Sequence, residues 1–428
     1  MPNRTDAQTC KETYMRHALT HWTAELAEET AEFYRDLHRH PELSFQEHRT
    51  ARQVAQALKR LDCEVTTGIG GTGVVAVLRN GDGPVVMLRA DMDALPVEEA
   101  TGLSYASTDK ATEPAGNEVP VMHACGHDMH TACLVGTLTV LSQARESWAG
   151  TVVGVFQPAE EVTGGAAAMI ADGLFERFPV PEVVLAQHVS PAPAGTVGHG
   201  SGPFMAASDS AQVTLFGRGG HGASPQYALD PVLMAASVVV RLQGIVAREI
   251  SMHEQAVVTV GRLQAGTKDN VIPDTAELGI NIRTYSAQIR QKVRAAVERV
   301  IRAEAAAAGA EREPAIEWTH GAPVLVNDPE ATARTVKGLE EHLGVERLTP
   351  LPPMPASEDA GVFGEAVGAP TVYWMWGGSD PEEFSATMAE GRMPPLNHRP
   401  DYAPALEPAL STGVEIMTVA ALTWLTAR

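Results

Sequence analysis

The chain has 428 residues, with 53 acidic side chains against 32 basic ones, which gives a formal net charge of −21. This charge favours solubility and argues against nucleic acid or an anionic membrane as a partner. The polar start, Met1 to Lys11, does not have the pattern of a secretory signal, and no apolar run approaches the ~18 residues of a membrane span.

The four cysteines are too sparse and too irregularly spaced for a disulfide framework. A reducing environment fits this usage best, so we expect a cytoplasmic protein. An isolated cysteine is most often a small buried hydrophobic residue. That is the expectation for Cys10, Cys63 and Cys133; Cys125 lies in a different context, described below.

Helical and strand patterns alternate in the first half of the chain. Amphipathic patterns at 25–37 and 46–61 predict helices, and residues 131–144 predict a third. Short apolar runs typical of buried strands are 73–78, 84–89, 151–156 and 183–187. Such runs separated by helices predict an α/β domain, a mostly parallel sheet flanked by helices.

The middle of the chain has a different pattern. Strand-like runs at 212–216, 256–260 and 276–282 accompany two long helical patterns at 231–248 and 287–308. This composition predicts a small α+β unit, and proline-containing segments flank it. We therefore expect a catalytic domain in two parts, residues 1–203 and 320–428, around an inserted α+β domain at 204–319. A closing helix is predicted at 408–426.

Polar side chains follow the predicted strands of the first domain. Asp91 and Asp93 come after one strand, Glu160 and Glu161 after another, and His188 after a third. Because ligands of open α/β sheets bind at the carboxyl ends of the strands, one cleft could collect all of these groups.

The segment from Met122 to His130 combines a thiol, three imidazoles and a carboxylate within nine residues. Cys125 and His127 lie two apart on a turn that contains a glycine, so both can face one point. Thiolate and imidazole suit Zn²⁺ or another first-row ion. His38, His40, His123 and His130 are interpreted as structural or supporting residues, and Asp91 and Asp93 as groups that orient the ligands.

Glu161, His188 and His398 are further candidate ligands, although each histidine taken alone fits a structural role equally well. Together with Cys125 and His127 they are too many for one tetrahedral ion with an open position. They suit two ions about 3.5–4 Å apart, with the Cys125 thiolate as the bridge. Glu160 is then free to act as the general base: it takes a proton from the attacking water and passes it to the leaving amine.

These motifs resemble the aminoacylase/carboxypeptidase clan of dinuclear metallohydrolases. The branch is that of hippurate hydrolases, indoleacetyl-amino-acid hydrolases and bacterial N-acyl-amino-acid amidohydrolases. The matching segments cover nearly the whole chain; they are 37–45, 88–96, 123–128, 156–161, 219–225, 270–273, 357–359 and 397–398.

The resemblance implies metal ligands at Cys125, His127, Glu161, His188 and His398, with Glu160 as the base. It also implies that the inserted domain is a lid that pairs two subunits.

On the lid, the resemblance implies that His221 stabilises the oxyanion, that Arg283 binds the substrate carboxylate and that Asn270 reaches an active site. Gln226 and Ala360 depart from the usual pattern of the branch, which puts the shape of the acyl pocket in question.

We therefore predict a metal-dependent amidohydrolase that cleaves N-acyl-L-amino acids, with two divalent ions per chain. Zinc is the expected metal, and Mn²⁺, Co²⁺ and Ni²⁺ also suit such donors. We expect a homodimer, with a tetramer as the alternative. A dipeptidase or carboxypeptidase that uses the same site is the nearest rival function. A cysteine-nucleophile amidase with a Cys125–His127 dyad and a catalytically inactive binding protein are the other two.

Overall fold

Residues 14–427 are described by a computed structural model, which divides into two compact units. Unit 1 comprises Met1–Gly202, Val326–Pro352 and Asp359–Arg428, and unit 2 comprises Pro203–Leu325 and Pro353–Glu358. The predicted domain limits, 1–203, 204–319 and 320–428, stay predictions. They differ from the units in placing residues 320–325 and Pro353–Glu358 with the catalytic domain.

Eleven α-helices follow a short helical segment at residues 14–19 within the described chain. They are α1 (Ala24–Arg39), α2 (His48–Leu58), α3 (His127–Gln143), α4 (Gly165–Ala171), α5 (Leu174–Arg177), α6 (Pro231–Glu249), α7 (Ala287–Ala307), α8 (Pro329–Leu343), α9 (Gly361–Val367), α10 (Pro381–Ala389) and α11 (Leu406–Trp424).

The strands of the described chain are numbered in the same way. They are β1 (Glu64–Ile69), β2 (Gly73–Asn80), β3 (Val85–Asp91), β4 (Lys110–Thr112), β5 (Glu118–Pro120), β6 (Trp148–Gln157), β7 (Val183–Pro193), β8 (Val197–His199), β9 (Gly202–Met205), β10 (Ala207–Phe216), β11 (Gly220–His221), β12 (Ala256–Ala265), β13 (Val271–Ile272), β14 (Thr275–Thr284), β15 (Ala315–Ala322), β16 (Leu325–Asn327), β17 (Leu348–Pro350), β18 (Thr371–Ser379) and β19 (Thr426–Ala427).

Unit 1 is built on a mixed sheet in the order β1-β2-β6-β3-β7-β18-β8-β17, with β19 paired to β6. Its centre, β6-β3-β7-β18, is parallel, whereas β1, β2 and β19 add antiparallel pairs. Every residue of β6 is buried, as expected for a strand covered by helices on both faces. The α/β class with a mostly parallel central sheet is confirmed.

Apolar cores lie on both faces of this sheet. The larger contains side chains from α1, α3 and α11, including Tyr34, Leu138 and Val414. The smaller lies against α4 and α9 and includes Met169 and Phe363. Two packed faces hold the strands rigidly, so the side chains at their carboxyl ends have fixed positions.

Unit 2 is a four-stranded antiparallel sheet, β12-β14-β10-β15, with α6 and α7 packed against it. Alternate residues of β14 are buried, which is the pattern of a sheet with one covered face. The strand β12 lies at one edge, and β11 and β13 form a separate two-stranded antiparallel sheet. This is the α+β composition that the sequence predicts.

Helix α6 is the one helix of the described residues that is long and apolar enough to cross a membrane by length and composition. Its inward side chains, Met234, Val238, Leu242 and Ile245, are buried in the core of unit 2. The helix is therefore one layer of an α+β unit, with an apolar inner face like other helices of that kind.

The cysteines of the described chain are unpaired: Cys63 is half-buried, and Cys125 and Cys133 are buried. Cys10 lies outside the described residues.

Candidate metal centre

Five predicted donors of unit 1 meet at the carboxyl end of the parallel strands. Glu161 follows β6, and Cys125 and His127 lie at the start of α3. His188 is inside β7 and does not follow it, because the strand continues to Pro193 beyond its apolar run. His398 comes from the loop before α11.

The turn between Cys125 and His127 depends on Gly126. Its φ of 84° is left-handed, and a Cβ at this position would lie 2.5 Å from Cγ1 of Val189. Both features require glycine, since other residues rarely adopt this conformation and the space is filled. His127 is the first residue of α3, so the turn fixes two donors against the end of the helix.

Short distances join the donor atoms. The Cys125 sulfur lies 3.4 Å from Nε2 of His188 and 3.2 Å from Nε2 of His398. Glu161 Oε1 lies 3.5 Å from Nε2 of His398 and 3.8 Å from Nε2 of His127. The structure therefore brings all five predicted ligands into one cluster, with the thiol of Cys125 between two imidazoles.

Two of these donor atoms, His127 Nε2 and Glu161 Oε1, are buried and have no hydrogen-bond partner within the described part of the chain. A buried polar atom without a partner is costly, so it marks a place where another group belongs. The thiol, imidazole and carboxylate donors around these atoms are those that Zn²⁺ and related ions prefer. The residues present therefore fit a metal centre.

Asp93 orients both the imidazole and the acidic loop. Its Oδ1 accepts a hydrogen bond from His127 Nδ1 at 3.2 Å. The lone pair of Nε2 in that ring is then available to a metal ion. The backbone N–H groups of Glu160 and Glu161 donate to its two oxygens at 3.1 and 3.0 Å. Burial alone would raise the pKa of Asp93, but the hydrogen bond and charge of His127 lower it.

Asp91 has a different set of contacts. It accepts hydrogen bonds from His130 Nδ1 at 2.5 Å and from Arg89 at 2.6 Å. His130 Nε2 accepts the backbone N–H of Val189 at 2.9 Å, so both nitrogens of this ring are already engaged. Burial opposes ionisation of Asp91, but the neighbouring His127, His130 and Arg89 lower its pKa well below the usual range.

The loop that carries His398 is held by Asn397. Its side-chain amide donates to the main-chain oxygen of Cys125 at 3.1 Å and to that of Val189 at 3.4 Å. The backbone N–H of His398 donates to the oxygen of Ala124 at 2.7 Å. His398 itself has a φ of 70°, a conformation uncommon outside glycine and one that often marks functional positions.

The carboxylates Glu160 and Glu161 follow a second left-handed residue, Ala159, with a φ of 51°. Its backbone N–H donates to the buried carboxylate of Glu47 at 2.8 Å. Glu160 Oε2 lies 3.9 Å from Nε2 of His127, and the Glu160 residue is buried. The turn thus directs two adjacent carboxylates into the cluster.

The electrostatics of the donors follow from burial. Burial raises the pKa of Glu161 to about 7 and holds that of Cys125 well above its usual range. It lowers the pKa of His188 far below the usual value, and His188 Nδ1 donates to the Val189 oxygen at 2.7 Å. Nε2 of His188 is then an unprotonated donor that faces the Cys125 sulfur.

Three further predicted site residues belong to unit 2. His221 and Asn270 lie side by side, because β11 pairs with β13 and the N–H of Gly222 donates to the Asn270 oxygen at 2.9 Å. His221 is exposed. Arg283 is half-buried on β14, where it donates to Ser357 and, at 3.1 Å, to Asn281.

The surroundings of several residues near the cluster could not be predicted from the sequence. Arg89 is fully buried and also donates to Gln157 at 2.8 Å and to Asp359 at 3.4 Å. The Asn397 contacts could have been found only from its place beside His398. His123 is buried with both ring nitrogens unpartnered in the described structure, and burial lowers its pKa to about 4.

Comparison with known proteins adds the family context. A model of the peptidase family M20/M25/M40 matches residues 87–394. The N-acetylcysteine deacetylase of Bacillus subtilis (strain 168) is 40% identical over 297 residues, which are 69% of this chain and 74% of that protein. The hippurate hydrolase of Campylobacter jejuni is 39% identical over 332 residues, 77% of this chain and 83% of that protein.

Among solved structures, the chain is similar to the YXEP protein of Bacillus subtilis, described as a dinuclear metal binding peptidase from the M20 family. The TM-score is 0.74 at 30% identity, and the match covers 94% of this chain and 98% of that chain. The similarity extends through both units.

Proposed function

This chain belongs to the peptidase family M20/M25/M40, and on that premise we propose that it hydrolyses the amide bond of N-acyl-L-amino acids. Membership confirms the predicted class, a metal-dependent hydrolase that acts on linear amides and has a dinuclear metal site. The observation that carries the proposal is a buried carboxylate, Glu160, beside a cluster that already contains five other donors.

The proposed metal ligands are Cys125, His127, Glu161, His188 and His398. We propose zinc as the metal, because thiolate and imidazole donors favour it. When bound, two such ions polarise the scissile carbonyl and make a water more acidic. The Asp93 carboxylate would keep the His127 ring in the orientation in which Nε2 faces the cluster.

Glu160 is the proposed general base. Its carboxylate takes one proton from the attacking water while the water oxygen bonds to the amide carbon. The same proton passes to the leaving nitrogen as the C–N bond breaks, which yields a carboxylic acid and a free amino acid. Such proton transfer contributes about 10²–10⁴-fold to the rate. The hydrogen bond from the Glu160 backbone N–H to Asp93 fixes the position of the Glu160 main chain.

The residues of unit 2 have proposed roles in binding. The N–H of Ala223 donates to His221 Nδ1 at 3.0 Å, so the neutral ring carries its proton on Nε2. The Nε2–H group of His221 can donate to the oxyanion of the tetrahedral intermediate. Arg283 would bind the substrate carboxylate, for which a guanidinium has matching geometry, and Asn270 would lie beside His221 in the same site.

We further propose that the protein is a cytoplasmic homodimer that pairs through unit 2. The support is the edge strand β12, whose outer side pairs with no other strand of the described residues, and two exposed apolar side chains on α6, Leu233 and Val240. Edges and patches of this kind mark association surfaces. Light scattering on the wild type and on Val240→Glu checks this: a monomeric wild type would contradict it.

The substrate class is tested by a panel of N-acetyl-amino acids, N-benzoyl-amino acids and dipeptides, with and without a chelator. The proposal expects the N-acyl compounds to be preferred, activity to be lost on chelation and activity to return with added metal. A preference for dipeptides would favour the peptidase alternative. Activity that survives chelation but not thiol alkylation would favour a Cys125 nucleophile.

A further inference from the structure

A second group of metal-type donors lies in unit 1 at a distance from the catalytic cluster. It consists of His17, His21 and Glu146, and their donor atoms lie within 4.8 Å of one another. His17 belongs to the helical segment at 14–19, and His21 follows one turn later. Glu146 lies in the short 3₁₀ turn Arg145–Ser147 between α3 and β6.

The two imidazoles face the same carboxylate oxygen. His17 Nε2 lies 3.1 Å and His21 Nε2 lies 3.6 Å from Glu146 Oε1. Two donor atoms bound tetrahedrally to one zinc ion at about 2.0–2.1 Å lie roughly 3.3 Å apart. The two separations from Glu146 lie on either side of this value, and the donor atoms of the two histidines lie within 4.8 Å of one another, so rotation of these side chains would bring the three donors around one ion.

His21 Nε2 is buried and has no hydrogen-bond partner among residues 14–427, although the His21 side chain as a whole is 29% exposed. A separation of 3.6 Å from Glu146 is too long for a hydrogen bond. This nitrogen is therefore directed at the carboxylate without being satisfied by it. An ion bound between the three side chains would give this nitrogen a partner.

We propose that His17, His21 and Glu146 form a third metal site, separate from the dinuclear centre, for a borderline divalent ion such as Zn²⁺ or Ni²⁺. Two imidazoles one helical turn apart with one carboxylate are a donor set that such ions accept. His17 and Glu146 are 54% and 57% exposed, so water completes the coordination and ions enter freely.

The position of the site gives it a structural role. α3 begins at His127 in the catalytic cluster and ends at Gln143, so its axis is about 25 Å long at 1.5 Å per residue. Glu146 follows the far end of this helix. A bound ion would link the first described helical segment to the connection between α3 and β6. It would thus stabilise the folded state without reaching the substrate.

The test begins with enzyme whose dinuclear centre is loaded with zinc. Equilibrium dialysis against Zn²⁺ and then Ni²⁺ gives the metal content of the wild type, of the double variant His17→Gln/His21→Gln and of Glu146→Gln. The matched control is His40→Gln, because His40 is an exposed imidazole that contacts only one carboxylate, Asp109, at 2.9 Å.

The expected result is about one metal equivalent fewer in the double variant and in Glu146→Gln than in the wild type and the control. Added Zn²⁺ should also slow amide hydrogen exchange at residues 14–22 in the wild type alone. Equal metal content in all four proteins would overturn the proposal and leave an ordinary imidazole–carboxylate pair. If the double variant fails to fold, Glu146→Gln decides the question by itself.

Discussion

His127 donates a hydrogen bond from Nδ1 to Oδ1 of Asp93, at 3.2 Å, while its other ring nitrogen is buried and meets no hydrogen-bond partner among the residues that the structure describes. The carboxylate therefore determines which nitrogen faces the cluster of donors. Because Asp93 also accepts the backbone N–H groups of Glu160 and Glu161, one buried side chain orients a proposed ligand and the loop of the proposed base.

Asp93→Asn should weaken metal binding about 10–100-fold, because an amide orients the imidazole less firmly than a carboxylate. Competition with a chromophoric chelator measures this effect. Asp109→Asn is the matched control, since Asp109 contacts the exposed His40 in the same way. Equal affinity in Asp93→Asn and the wild type would show that this contact does not position His127.

Asn397→Ala and Asn397→Asp should both weaken metal binding, because Asn397 donates to the main-chain oxygens of Cys125 and Val189. Aspartate is nearly the same size but cannot donate, so it separates the hydrogen bonds from the volume of the side chain. The thiolate charge-transfer absorption of the cobalt-substituted enzyme reports directly on Cys125. An unchanged spectrum in both variants would contradict this role.

Arg89→Met should destabilise the fold by about 3–5 kcal/mol, because it removes the buried guanidinium that pairs with the carboxylates of Asp91 and Asp359. Urea unfolding measures the change. Arg218→Met removes an exposed pair with Glu311 and should cost at most about 1 kcal/mol. A small loss of unfolding free energy in Arg89→Met would mean that other groups stabilise the two carboxylates.

The stability contributed by His38 should decrease at alkaline pH. Burial lowers its pKa, but hydrogen bonds to Asp128 and Glu99 outweigh burial and raise the pKa from 6.5 to about 9. A raised pKa means that the contribution is fully present below pH 6.5 and is lost as the pH rises through about 9. The rise in the His38 pKa corresponds to roughly 3 kcal/mol of folding free energy.

Unfolding free energies of the wild type and His38→Gln at pH 6 and pH 9.5 check this expectation. The difference in unfolding free energy between the two proteins should be large at pH 6 and small at pH 9.5. A gap that is constant, or that grows with pH, would mean that His38 is not held protonated by its two carboxylates.

Sequence patterns predicted three of the four central parallel strands of unit 1, β6, β3 and β7, because long apolar runs such as 151–156 have few alternatives to a buried strand. They did not identify β18 (Thr371–Ser379), although all but its last residue are buried. They missed β1 (Glu64–Ile69), whose mixed burial gives no clear period. They also ended β7 too early at Gln187, since the strand continues through polar residues and prolines to Pro193.

Cys125 and His127 lie two apart in the chain, so their shared orientation could be predicted from local spacing. The partners of Asp91 and Asp93 could not, because the contacts with His130 and with the Glu160 backbone join residues 39 and 67 positions apart. Asn397 illustrates the same limit: its contact with Cys125 spans 272 positions. Only the folded chain shows which polar residues become neighbours.

The central claim is that the cluster binds two metals while Glu160 supplies the base. The most direct test measures metal content and hydrolysis of N-acetyl- and N-benzoyl-amino acids on the wild type, Glu160→Gln and Glu161→Gln. We expect equal metal content in the first two proteins, with two ions per chain in this cluster beside the ion of the His17, His21 and Glu146 site, a loss of about 10²–10⁴-fold in turnover for Glu160→Gln, and reduced metal in Glu161→Gln. A metal-free wild type that still hydrolyses amides, or a Glu160→Gln enzyme with full activity, would contradict it.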